Sequence, residues 1–272
     1  MELAAATSLP GLALAEVMGF LLQALFAMLR VGAFVISAPV FAARFVPLPV
    51  RIIVAVVLTI PVITSVPMPD PETLASLRVV PMIAVELALG IAAGLVLQIL
   101  FASATMAGDW IAATAGLSFA AQMDPNTGGQ SPIVAQLLFL LLLGLFLAEN
   151  GHLAAIRLIV ESYAYIPPGG AFEPGALTGT GLGAAGVLFE VAAAIMLPVV
   201  SILLIVNVVI GVITRSAPQM NLFSFGFPLM LLTAVGLLFL TVPSLGHAMA
   251  ALFPRALEML AQILLQGGPN GG

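Results

Sequence analysis

The sequence predicts an all-α membrane protein with about six hydrophobic segments, and three observations carry that prediction. Of its 272 residues, 62% are apolar and only 7% charged, where a soluble domain carries about 25% charged residues. Apolar stretches fall at roughly 17–43, 50–66, 79–107, 132–148, 182–213 and 226–253, with a shorter one at 256–265. A run of about 20 such residues crosses a bilayer. The breaks between the runs are polar or rich in Pro and Gly, as in Pro67-Met68-Pro69-Asp70-Pro71-Glu72 and Pro167-Pro168-Gly169-Gly170. Helices are the economical reading of the runs, because open strands leave backbone groups unsatisfied in lipid. A soluble enzyme and a disordered chain are both excluded by the same composition.

Taken in order, the first run follows Met1-Glu2-Leu3, which lacks the positive region of a cleaved signal peptide. It is expected to stay in the mature chain. Arg44 and Arg51 flank the first connection, whereas Asp70 and Glu72 occupy the next. The positive-inside rule then places the 44–51 turn in the cytoplasm and the N-terminus outside, with Arg215 marking a second cytoplasmic turn. The run 79–107 is too long for a simple span and is expected to tilt or project. Within it Glu86, Gly90, Gly94 and Gln98 recur every four residues. Gly90-x-x-x-Gly94 lets another helix approach closely, so helix packing is the reading. Ser131-Pro132 has the form of an N-cap followed by proline at the first helical position. Pro198, inside the run 182–213, is expected to kink or break it, and Pro228 follows Gly226 at the start of the next. With no repeat and no strongly polar break, residues 1–266 are expected to form one membrane domain and 267–272 a flexible tail.

The remaining residues narrow the chemistry. There is no Cys, the positive residues are all Arg, and the net charge is −5. Disulfides, a metal centre, other cofactors and a nucleic-acid partner are therefore not expected. Gly181-Leu182-Gly183-Ala184-Ala185-Gly186 has the letters of a dinucleotide fingerprint. It follows a Pro/Gly-rich loop instead of a strand and lacks the downstream acid, so small residues opening a packed helix explain it. Gly116-Leu117-Ser118-Phe119 is faintly similar to an intramembrane protease motif, but Ser118 has no assured base. His152 follows Glu149-Asn150-Gly151 and reads as part of a helix end. Glu16, Glu86, Asp109 and Glu190 lie in or beside apolar runs, where a charge is costly. A secondary transporter is therefore a rival class, although its inverted repeat is not visible. Residues 116–132 are the most distinctive stretch: Phe119 and Met123 precede an Asp124-Pro125 turn, and apolar side chains there can close a water-filled space by dewetting.

The order and spacing of several blocks resemble the FliR/SctT family of type III export-gate components. Arg30 is followed by Ala38-Pro39, Val46-Pro47 and Arg51. Gly116-Leu117-Ser118-Phe119 comes with Asp124-Pro125, and then Asn150-Gly151-His152. The late block holds Leu197-Pro198, Asn207, Arg215-Ser216-Ala217-Pro218-Gln219 and Gly226-Phe227-Pro228. The resemblance implies bent helical hairpins in an assembly with five FliP-like and four FliQ-like subunits, partly raised out of the membrane. It implies a single-copy gate subunit without catalysis or cofactor, served by FlhA-like and FlhB-like proteins and passing unfolded substrates. It favours a flagellar over an injectisome system. It also implies a pore-plug loop over Gly116, Leu117, Ser118, Phe119, Gln122, Met123, Asp124 and Pro125. Gln122 stands where relatives can carry an aromatic residue, and a polar side chain closes a pore less well.

Overall fold

The computed structural model describes residues 14–43, 45–117, 133–170, 174–217 and 225–266. Ten α-helices and no strand are found among them: α1 (Leu14–Ser37), α2 (Pro39–Ala42), α3 (Leu48–Ser65), α4 (Pro71–Leu74), α5 (Val79–Thr114), α6 (Ile133–Ala148), α7 (Gly151–Tyr165), α8 (Pro174–Ser216), α9 (Phe227–Ala250) and α10 (Leu252–Gln266). Five helical stretches are long and apolar enough to cross a membrane, and α6 with α7 form a bent pair that raises the number to six.

Proline sets several starts. Pro39 and Pro71 occupy the first positions of α2 and α4, and extended Pro47 precedes α3. A proline there gives up an N–H that has no helical partner anyway, and its fixed φ suits the first turn. The ends are set by residues that tolerate a left-handed backbone. Beyond α5, Gly116 has φ 78°, and Asn150 between α6 and α7 has φ 56°. Asparagine is among the few residues with a side chain that adopt this conformation readily.

Two compact units emerge from the contacts: Met1–Gln98 with His152–Leu182 and Leu257–Gly272, and Ile99–Gly151 with Gly183–Ala256. In the first, α1 packs against α3 and α4. Its core holds Phe26, Val31 and Phe34 of α1, Leu89 and Leu97 of α5, and Ile159 and Tyr163 of α7. Gln23 Nε2 donates to the Pro69 carbonyl at 3.0 Å, fastening the Pro67–Glu72 connection to α1. In the second unit, Phe101 lies 5.4 Å from Phe139 and 5.8 Å from Phe146, which lies 5.4 Å from Phe253, centroid to centroid. Tilted and edge-on arrays of this kind are favourable beyond the area they bury. A Cβ on Gly108 would meet Ala135 Cα and lie 2.7 Å from its nitrogen, so α5 and α6 touch backbone to backbone.

Four sequence expectations change. α8 runs without interruption from Pro174 to Ser216 with Pro198 inside it, so Pro198 marks no break. One lost hydrogen bond is affordable where 43 residues supply the rest. That helix also starts eight residues before the apolar run, because the glycine-rich 174–181 stretch continues it. The three glycines of the fingerprint-like segment lie within α8, and a Cβ on Gly181, Gly183 or Gly186 would meet open space in this chain. They are therefore not packed within it. Finally, α7 is a helix where the hydropathy pattern showed only a polar interval. Its apolar residues Ala155, Ile159 and Tyr163 fall four apart on one buried face, and Arg157 and Glu161 occupy the other side as an exposed i,i+4 pair at 2.6 Å.

Candidate functional site

Only one of the carboxylates singled out in the apolar runs is buried. Glu86 is 0% exposed, whereas Glu16, Asp109 and Glu190 lie on the chain's surface. Glu190 keeps a loose contact with Arg255 at 3.5 Å. An arginine must solvate Glu86, because a lone buried carboxylate would lose its hydration without replacement. Arg30, also 0% exposed, does so with the Nε–Nη2 edge of its guanidinium. Arg30 Nε donates to Glu86 Oε2 at 2.8 Å and Nη2 to Oε1 at 3.0 Å. This bidentate geometry is the strongest that two such groups make.

The rest of the fork is filled from α7 and the turn after it. Arg30 Nη1 donates to Ser162 Oγ at 2.9 Å and Nη2 to the Ile166 carbonyl at 2.9 Å. That carbonyl lies just past the end of α7, where the helix dipole is negative, so the cation suits it. The Tyr163 ring covers the guanidinium, with Arg30 Cζ 4.0 Å from its centroid, and the Tyr163 hydroxyl donates to the Ala27 carbonyl at 2.7 Å. On the acid side, the Gly169 N–H donates to Glu86 Oε1 at 3.3 Å. Gly169 has φ 75° and sits in a turn closed by Gly170 N donating to the Pro167 carbonyl at 2.8 Å. Proline second and a positive-φ glycine third are what that turn type requires. The Pro167–Gly170 break seen in the sequence is thus part of the same buried site.

Beside the ion pair, α1 and α5 approach closely. A Cβ on Gly90 would meet the Arg30 carbonyl and lie 2.7 Å from Ala33 Cβ; one on Gly94 would meet Ser37 Oγ and lie 2.8 Å from the Ala38 nitrogen. Gln98, the last residue of that four-residue repeat, is exposed. Arg51 closes the α2–α3 connection: Nη2 donates to the carbonyls of Ala42, Ala43 and Val46 at 3.2, 3.1 and 3.0 Å.

Residues 21–256 match the model of the bacterial export proteins, family 1. The chain is 33% identical over 243 residues to the flagellar biosynthetic protein FliR of Escherichia coli (strain K12), covering 87% of this chain and 90% of that protein. It is 31% identical to FliR of Pectobacterium carotovorum, with 87% and 90% covered, and 27% identical to FliR of Bacillus subtilis (strain 168), with 87% and 92% covered. The chain belongs to the FliR family.

As a FliR-family export protein it is not an enzyme, and Ser118 has no nucleophilic role to fill. The structure leaves the marked residues in several places. Arg30, Glu86 and Gly90 meet in one cluster; the four-residue recurrence had already set Glu86 and Gly90 on one face, but nothing joined Arg30 to them, 56 positions from Glu86. What was legible was the charge in an apolar run and the arginine opening a family block. Ser162, Tyr163 and Ile166 carried no such signal. Pro39 and Pro47 start α2 and α3. Gly151 opens α7, with a Cβ there blocked by the Phe146 ring. The neighbouring His152 has a buried Nδ1 without a hydrogen-bond partner among the described residues. Asn207 Nδ2 donates to the Thr114 carbonyl at 3.2 Å, at the end of α5. Arg215 lies exposed in the last turn of α8, and Gly226 and Pro228 open α9. Ser118, Phe119, Gln122, Met123, Asp124, Pro125, Pro218 and Gln219 lie outside the described residues, as do Ser131, Pro132 and the tail.

Proposed function

We propose that the chain is the single-copy subunit of a flagellar type III export gate in the bacterial inner membrane. In this reading it joins FliP-like and FliQ-like subunits and works with FlhA-like and FlhB-like export proteins, and unfolded substrates pass through. The near full-length likeness to flagellar relatives carries the proposal. Helix length supports it: the 36 residues of α5 and the 43 of α8 reach about 50–65 Å at 1.5 Å per residue, well beyond a hydrocarbon core of about 30 Å. Long apolar helices of this kind suit burial among other subunits as well as in lipid.

Within that reading the loop from Gly116 to Pro125 closes the conduit at rest. Gly116, in a left-handed conformation at the end of α5, gives the loop a pivot, and Phe119 and Met123 supply the apolar seal. The decisive experiment is expression of this chain in a flagellated bacterium lacking its own FliR. Restored secretion of hook and filament proteins is expected; rescue of an injectisome mutant instead would transfer the chain to that system. In the rescued strain, Phe119→Ala with Met123→Ala should leave the gate assembled but leaky to small solutes. An assembled double variant as tight as wild type would sink the plug assignment. Gln122→Phe is the converse: it tightens closure if the absent aromatic matters.

A further inference from the structure

We infer that the buried Arg30–Glu86 pair is a latch for the end of α7, holding the Ser162–Gly170 segment on an α1–α5 seam that stands without it. Besides the Arg30–Glu86 bonds, which themselves join α1 to α5, the contacts divide into two sets. The seam itself rests on close backbone approach at Gly90 and Gly94, with Ser37 Oγ donating to the Gly90 carbonyl at 3.4 Å. None of those contacts involves α7. The second set joins the pair to the segment: Arg30 to Ser162 Oγ and to the Ile166 carbonyl, and Glu86 to the Gly169 N–H. Arg30 and Glu86 therefore present a receptor with donors on one side and an acceptor on the other. The segment presents the reverse order along eight residues, from hydroxyl to carbonyl to N–H.

The medium gives this receptor its weight. Apolar side chains gain little by leaving lipid for protein, so helix association there depends on close packing and polar contacts. Ile159, Tyr163 and Ile166 fill space against the core, but the polar contacts select the docked position. Detachment would leave the Ile166 carbonyl and the Gly169 N–H in search of partners, a costly state away from water. Docking also fixes the Pro167–Gly170 turn, which directs the chain from α7 towards α8. Gly169 holds a left-handed backbone, φ 75°, which side-chain-bearing residues rarely adopt, so the turn calls for glycine there.

The chain's lack of cysteine makes the latch measurable with single thiols. Ile166→Cys places a thiol at a fully buried position in the latched segment, and Val62→Cys places one at a buried position of α3, which packs on α1. Maleimide labelling of the full chain in detergent reports the opening of each. Arg30→Met with Glu86→Leu removes the receptor while keeping the seam apolar. It is expected to speed labelling at 166 about ten-fold or more, since several buried hydrogen bonds are lost together, with labelling at 62 unchanged. If that double variant does not accumulate, Ser162→Ala takes its place and should speed labelling at 166 by up to about ten-fold. Position 166 remaining as protected as in the wild type, or 62 opening in step with 166, would overturn the latch.

Discussion

At the scale of single residues, the sign of a substitution depends on what it leaves unpaired. Glu86→Leu strands the Arg30 guanidinium in a buried site, and removing one member of such a pair costs about 3–5 kcal/mol. Replacing both members by apolar residues of similar size removes the stranded charge, so Arg30→Met with Glu86→Leu should recover most of that loss. Thermal unfolding of the detergent-solubilised chain measures both, and a double variant no more stable than Glu86→Leu would show the pair contributes more than mutual neutralisation. Arg51 behaves differently. It is half-buried and donates to three carbonyls at the α2–α3 connection. Arg51→Gln is expected to cost about 1.5–3 kcal/mol, the range for hydrogen bonds from a charged donor, and the same unfolding measurement reads it.

At the scale of elements, glycines divide by what their missing side chains would touch. Gly90, Gly94 and Gly108 sit where backbones meet, whereas a Cβ on Gly144 of α6 would touch nothing within 4 Å. Gly108→Ala should therefore push α5 off α6 and lower the stability of the chain by about 1–3 kcal/mol, the usual cost of overpacking. Gly144→Ala should be neutral or stabilise by up to about 1 kcal/mol, since alanine loses less backbone freedom in a helix. Equal losses for the two would contradict the close approach. The same geometry moves the expected failure of Gly90→Leu. The side chain would collide with Arg30 and Ala33 of its own α1, so the folded chain itself should fall before any partner is bound. Normal levels of folded chain with failed recovery of a FliP-like partner would place the contact between subunits instead.

At the scale of the whole molecule, the absence of a reaction is itself testable. Ser118→Ala should leave secretion of hook and filament proteins at the wild-type level in a rescued strain, because a non-enzymatic FliR-family export protein needs no nucleophile there. Complete loss of secretion with normal assembly would return an enzyme to consideration. Large parts of the chain's surface stay apolar, with Ile205 of α8 63% and Val208 68% exposed. Outside lipid or an assembly, patches of that kind do not remain uncovered.

What the sequence by itself determined follows from properties that a short window contains. Composition and hydropathy established an all-helical membrane chain, and ordered blocks such as Arg215 to Gln219 established the family. Gly226 and Pro228 marked the start of α9, and the prolines and glycines of 167–170 marked that turn, because φ restriction acts within one or two residues. The local pattern misjudged α7, whose polar side masked a helix, and of the kink or break expected at Pro198 the break is absent, because the long α8 absorbs the lost hydrogen bond. Pairing was beyond its reach. Glu86 read as one of four costly carboxylates, and only tertiary packing brought Arg30 to it, whereas Glu16, Asp109 and Glu190 are exposed. Burial and charge pairing depend on residues 56 to 136 positions apart, so only the tertiary structure decides them.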